Sequence, residues 1–181
     1  ILSGGDPLSL STAKLRELGE RLLALPQVRR LRIHSRLPVV LPERVDAELL
    51  DWLAALPLQK VMVIHANHAR EFDESVARAL TDLRGAGLTV LNQAVLLRGV
   101  NDSVAAQVEL AEASFAAGSL PYYLHQLDRV AGAAHFEVPD ADALAIESAL
   151  RKRLPGYLVP RLVREVAGAA SKLPLALTTE M

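Results

Sequence analysis

Val61-Met62-Val63-Ile64-His65-Ala66-Asn67-His68 is the stretch that decides the fold. Four apolar residues run unbroken and stop abruptly at hydrogen-bonding side chains. A strand with one wet face alternates apolar and polar residues, whereas an unbroken run belongs to a strand covered on both faces, as in a parallel sheet. Similar short runs lie on either side: Ile1-Leu2, Leu31-Arg32-Ile33-His34, Leu88-Thr89-Val90-Leu91 and Tyr122-Tyr123-Leu124. Between them, apolar residues recur at helical spacing. Leu15, Leu18, Leu22 and Leu23 share one face, as do Val45, Leu49 and Leu53, and Phe72, Val76, Leu80 and Leu83. Val104, Val108, Ala111 and Phe115 form the next stripe, and Ala143, Ile146, Leu150 and Leu154 the last.

Punctuation agrees with this reading. Pro42 opens one helix, Asn101-Asp102-Ser103 precedes another, and Gly85, Gly87 and Gly118 sit where helices end. Strand starts recur at roughly thirty-residue intervals, the length of one βα unit. The expected order is β(αβ)4α followed by a tail, an α/β fold that a doubly wound sheet or a (βα) barrel satisfies equally. The barrel-like part spans 1–154. From Pro155 onward, 155–181, the chain reads as an extended tail with a small-residue turn, Ala167-Gly168-Ala169-Ala170-Ser171, before Lys172.

Composition narrows the function classes. The chain has 181 residues, enough for one domain with a sizeable core. It is 51% hydrophobic with a net charge of −1 and interspersed signs, so neither nucleic acid nor an anionic membrane is the expected partner. No apolar stretch approaches the ~18 residues that span a bilayer, and a soluble, cytoplasmic protein is expected. There is no cysteine, so no thiolate ligand for a metal cluster. The chain begins Ile1-Leu2-Ser3-Gly4-Gly5-Asp6-Pro7, as though in the middle of an element, which suggests a part lying upstream.

Polar residues cluster at the carboxyl ends of the apolar runs, where α/β folds bind ligands. Gly4-Gly5-Asp6 follows the first run, His34-Ser35-Arg36 the second, and His65, Asn67 and His68 the third. Asn92 and Gln93 interrupt the fourth, and His125, Gln126 and Asp128 follow the fifth. Each group also has a plain structural reading. Gly4-Gly5-Asp6-Pro7 serves equally as a turn with a helix cap or as a backbone cradle for an anionic group. His65 and His68 lack an obvious third metal ligand, so hydrogen bonding is the better expectation and no metal site is assigned. Asn92 and Gln93 are either satisfied core amides or ligand contacts; an unpaired buried amide costs ~1–3 kcal/mol. Lys172 is a solvated lysine or a Schiff-base lysine for an aldehyde cofactor. Asp128 and Glu165 are surface acids or a pair that receives an ammonium.

Longer strings choose among these. Ser3-Gly4-Gly5-Asp6-Pro7-Leu8, Arg32-Ile33-His34-Ser35-Arg36-Leu37-Pro38-Val39-Val40 and His65-Ala66-Asn67-His68 resemble the lysine 2,3-aminomutase family of radical S-adenosylmethionine enzymes. So do Asn92-Gln93-Ala94-Val95-Leu96-Leu97-Arg98-Gly99-Val100-Asn101-Asp102 and Pro121-Tyr122-Tyr123-Leu124-His125. The resemblance runs in order through essentially the whole chain. Ala131-Gly132-Ala133-Ala134-His135-Phe136 and Gly156-Tyr157-Leu158-Val159-Pro160 look most like a bacterial branch whose product, (R)-β-lysine, a partner ligase attaches to elongation factor P.

The resemblance implies a partial (βα)6 barrel of about five parallel strands with outer helices. It implies that Gly4, Gly5 and Asp6 hold the amino-acid end of S-adenosylmethionine, with His65, Asn92 and Gln93 lining that site. Lys172 would carry pyridoxal phosphate. Asp128 and Glu165 would grip the ε-ammonium of L-lysine; related enzymes have Asp at the second of these positions. The implied reaction moves the lysine nitrogen from C2 to C3 through a radical started at a [4Fe–4S] cluster. The family holds that cluster on a CxxxCxxC loop that is absent from these residues, so the chain alone is expected to be inactive. Two other readings remain: a domain that binds S-adenosylmethionine or pyridoxal phosphate without catalysis, and a purely structural βα protein. An open barrel edge would favour self-association into a homo-oligomer.

Overall fold

The computed structural model describes residues 1–128 and 130–175. Among the described residues the strands and α-helices are α1 (Thr12–Leu23), β1 (Arg30–His34), α2 (Leu37–Val40), α3 (Ala47–Ala55), β2 (Gln59–Ile64), α4 (Glu74–Gly85), β3 (Leu88–Val95), α5 (Val104–Ala116), β4 (Leu120–His125), α6 (Asp140–Arg153), β5 (Arg161–Arg164) and β6 (Leu173–Pro174), in largely alternating order. Strand order in the sheet equals chain order. A doubly wound sheet reverses direction at a switch point, whereas a barrel sheet never does. The fold is therefore of the partial (βα) barrel class, built on a six-stranded, mostly parallel sheet.

The chain divides into two compact units. The first comprises Ile1–His65, Glu71–Leu91 and Ala117–Ser119. In it β1 pairs parallel with β2, Ile33 opposite Met62, and Leu2 adds a single parallel bridge to Ile33. Ile1-Leu2 is thus one rung rather than a strand. Its core is aliphatic, with Leu15, Leu49, Leu53, Met62, Ile64 and Leu80 fully buried. Gly19 on α1 lets Trp52 of α3 approach: a Cβ there would lie 3.2 Å from the indole. Side-chain caps start the helices, Ser11 for α1, Asp46 for α3 and Asp73 for α4. Pro42, read as a helix start, instead opens a three-residue 3-10 turn, and α3 begins after the Asp46 cap.

The second unit comprises Ala66–Arg70, Asn92–Ala116 and the residues from Leu120 on. There β4 pairs parallel with β5, Leu124 opposite Leu162. Arg161–Arg164 lies in the stretch expected to be an extended tail, and it is a sheet strand. β6 returns antiparallel, placing Arg164 opposite Leu173 and Val163 opposite Pro174. The last residues of that tail, 176–181, lie outside the described residues. Acids in the first turn of α6 (Asp140, Asp142) and bases in its last (Arg151, Lys152, Arg153) match the helix dipole. Phe115, assigned to an apolar stripe, is exposed and leans on Tyr157, with ring centroids 5.7 Å apart. Among the described residues no helix is long and apolar enough to cross a membrane.

Candidate functional site

The expected site residues fall on both units. Gly4, Gly5, Asp6 and His65 belong to the first; Asn92, Gln93, Asp128, Glu165 and Lys172 belong to the second.

In the first unit, Gly4 and Gly5 take φ of 88° and 57°, a region that costs any other residue strain. Nothing lies within 4 Å of where their Cβ atoms would be, so this turn is open on its outer side. Asp6 follows and caps the next turn: Oδ1 accepts from the Leu8 N–H at 3.0 Å and from the Ser35 hydroxyl at 2.7 Å. Oδ2 accepts from the Arg36 N–H at 2.8 Å. Both oxygens therefore tie the glycine turn to the end of β1. His34 and His65 meet edge to face, with centroids 6.3 Å apart. Arg36 continues from this point to an ion pair with Glu71 at 3.6 Å.

In the second unit, Asn92 clamps one backbone position. Its Oδ1 accepts from the Ala66 N–H at 2.9 Å and its Nδ2 donates to the Ala66 carbonyl at 3.0 Å, both buried. Burial along β3 alternates, with Val90, Asn92 and Ala94 on the buried side and Gln93 half-buried between them. Successive strand residues point to opposite faces. The structure accordingly does not bring the Asn92 and Gln93 side chains together. Asn67 extends the clamp by accepting from the Val95 N–H at 2.8 Å. Asn101, buried, donates to the carbonyls of Asn67 and Val95 and accepts from the Leu97 N–H. Asn101 and Gln107, which donates to the Asn101 carbonyl, were not singled out as site residues. The signals for Asn101 are the Asn-Asp-Ser string before α5 and its place at the end of the 92–102 string. His68 accepts from the Arg70 N–H through Nδ1, and among the described residues no three His, Asp or Glu side chains gather as a metal site.

Lys172 and Glu165 are brought together. Lys172 Nζ donates to Glu165 Oε1 and lies 5.7 Å over the centroid of the Tyr123 ring. The hairpin dictates this meeting: with Arg164 opposite Leu173, the next rung outward joins positions 165 and 172. Gly168, at φ 81°, lies in the connection. The Lys172 side chain is 24% exposed and that of Glu165 53%. Tyr123 in turn meets Tyr122 at 3.9 Å and His125 edge to face at 5.6 Å. Asp128 is exposed and borders a cleft of about 240 Å³ lined also by Leu127, Val130, Ala133, Ala134 and Glu137. Neither Glu165 nor Lys172 lines that cleft. Gln126, buried, donates to the Val138 carbonyl and to Asp140, which pairs with Arg164.

Known proteins bear on this arrangement. No family model matches the chain. A protein of Escherichia coli K12 named L-lysine 2,3-aminomutase is 50% identical over 177 residues, 98% of this chain and 52% of its own length. One of the same name from Haemophilus influenzae is 47% identical over 95% of this chain and 51% of its own length. That of Clostridium subterminale is 39% identical over 97% and 42%. The chain thus spans about half the length of the curated relatives it matches. Among solved structures, a radical SAM methyltransferase from Sphaerobacter thermophilus superposes with a TM-score of 0.53 at 20% identity, covering 74% of this chain and 40% of that one. That likeness concerns the fold alone. Along nearly its whole length, then, the chain is similar to about half of each of these proteins named L-lysine 2,3-aminomutase.

Proposed function

We propose that this chain is the substrate-holding part of a radical S-adenosylmethionine L-lysine 2,3-aminomutase that converts L-α-lysine to (R)-β-lysine. The observation that carries the reading is the cluster of Lys172 and Glu165, which flank the β5–β6 connection, with Tyr123 of β4, in a chain half identical to a protein of that name. Its donor set fits pyridoxal phosphate: a half-buried lysine, an aromatic ring beneath it and a carboxylate beside it. Lys172 would hold the cofactor's aldehyde carbon. The open Gly4-Gly5 turn fits the polar end of S-adenosylmethionine, with His65 of the same unit as a further contact. Asp6 would serve this site through the backbone it fixes at Arg36. The [4Fe–4S] cluster has no fit within these residues, because none of them is cysteine, and no step is derived through it.

When bound, S-adenosylmethionine supplies the hydrogen-abstracting radical and pyridoxal phosphate the conjugated system that spreads unpaired spin. The chain's own residues supply position. Tyr123 and Glu165 fix Lys172, while Asp128 and Glu165 receive the side-chain ammonium of lysine. A neutral amino acid would leave those carboxylates unmatched, which favours lysine. We assign residues 1–154 together with β5 to the partial barrel, and the cofactor lysine to the connection between β5 and β6. The 131–136 and 156–160 strings support a product destined for a ligase acting on elongation factor P, in the cytoplasm.

The test is product analysis with the full-length protein, reconstituted anaerobically with iron, sulfide, S-adenosylmethionine, pyridoxal phosphate and L-lysine. β-Lysine should form, and Lys172→Ala should reduce its formation by about 10³-fold or more. Undiminished β-lysine from Lys172→Ala would contradict the assignment.

A further inference from the structure

The hairpin that carries Lys172 is weak by itself. Pairing of β4 with β5 ends at His125 opposite Val163, and the Gln126 N–H closes that ladder on the Val163 carbonyl at 2.8 Å. Beyond that point, among the described residues, β5 has β6 alone as a sheet neighbour. β6 makes two rungs, one of them at Pro174, which has no N–H to donate. The Leu175 N–H adds one bond to the Leu162 carbonyl, while Leu173 and Pro174 are both exposed. A two-stranded ribbon this short, with little apolar cover, does not hold its register unaided.

Arg164 supplies an anchor. Successive strand residues point to opposite faces, so the Arg164 side chain leaves the ribbon on the side away from Glu165 and Lys172. There its guanidinium grips both oxygens of Asp140, Nη1 donating to Oδ2 at 3.0 Å and Nη2 to Oδ1. Asp140 is the first residue of α6. The buried Gln126 donates to the same Oδ1 at 2.9 Å and to the Val138 carbonyl at 2.7 Å. A carboxylate held from two sides has a fixed orientation, and a bidentate guanidinium pair sets direction as well as distance. The end of β4, the start of α6 and the end of β5 thus meet at one carboxylate.

We propose that Asp140 is a positioning residue for Lys172: by gripping Arg164 from the helix side, it fixes the β5–β6 hairpin in the register that sets the Lys172 ammonium over Tyr123. The inference rests on reading Lys172 as the aldehyde-bearing lysine, and it asks of Asp140 no contact with the cofactor. Without the ion pair the hairpin frays and Lys172 spends less time over Tyr123. The apparent affinity for the aldehyde then falls in proportion to the ordered population.

Equilibrium binding of pyridoxal phosphate to the full-length protein, read by the absorbance of its imine, tests the proposal. Asp140→Asn and Arg164→Met should each weaken binding about three- to tenfold, the scale of a bidentate, partly exposed ion pair. The double variant should bind no more weakly than the poorer single one, because both changes remove one interaction. Borohydride trapping should show the loss at Lys172. Lys60, whose ammonium donates to the Leu56 carbonyl, reports general unfolding, and its labelling should not rise. Should Asp140→Asn fold poorly, Arg164→Met decides, since it breaks the same pair from the hairpin side. Affinity within about twofold of the wild type in both single variants, or losses that add in the double, overturns the positioning role. A rise at Lys60 that matches the fall at Lys172 overturns it too, because the effect is then one of fold stability. Label on wild-type Lys172 that the variants leave undiminished sinks the positioning role alone, whereas no label on wild-type Lys172 sinks the reading beneath it as well.

Discussion

Asn92 satisfies the N–H and the carbonyl of one distant residue at once, so its amide is a clamp on the loop after β2. Its removal would orphan two buried backbone groups at Ala66. Asn92→Ala should cost about 3 kcal/mol, measured as a shift in the urea midpoint. Asn92→Asp should cost at least as much, since a carboxylate oxygen would then face the Ala66 carbonyl. The sequence shows that an amide interrupts an apolar run, but not its partner 26 residues earlier. Asp6 has the same character. Its cap to Leu8 is visible in a local window, whereas its bonds to Ser35 and Arg36 exist only once β1 lies beside the turn. Those long-range bonds are what sequence spacing cannot reveal. They give Asp6 a structural role that the ligand reading must accommodate.

Helix ends and turns carry the predictions at the scale of elements. Asp73 caps α4, accepting from the Ser75 hydroxyl at 2.6 Å and the Val76 N–H at 2.9 Å. The Ser75 hydrogen bond above all, with that of Val76, holds its carboxyl below the ordinary value. A depressed folded-state value means that the stabilisation is present above the unfolded pKa of about 3.9 and fades as pH falls through the folded one. The stability difference between the wild type and Asp73→Asn should therefore narrow between about pH 6 and about pH 3, read by urea denaturation at each pH. Gly118, after α5, has φ of 88°, and a Cβ there would lie 2.4 Å from the Arg84 guanidinium. Arg84 is exposed and can swing away, so the lasting cost of Gly118→Ala is backbone strain of about 1–2 kcal/mol. Arg84→Ala should not restore that loss in the double variant. The helices of twelve residues or more were legible because their stripes repeat over three turns, whereas the four-residue α2 was not. β5 was not: Arg161-Leu162-Val163-Arg164 has two apolar residues between two charges, and only pairing with β4 makes it a strand. The hairpin register that joins Glu165 to Lys172 was hidden for the same reason.

Across the whole molecule, the alternation of strands and helices was legible as far as α6. What periodicity left open, barrel or doubly wound sheet, is decided by strand order, a property of tertiary pairing. The family strings were legible as well, and relatives at 39% to 50% identity bear them out. The central claim is that Lys172 is the cofactor lysine of this fold. The most direct measurement is to incubate the full-length protein with pyridoxal phosphate, reduce with borohydride and map the labelled peptides. The account predicts label on Lys172 in preference to Lys14, Lys60 and Lys152, the other lysines of the chain. Label on those three with none on Lys172 would contradict it.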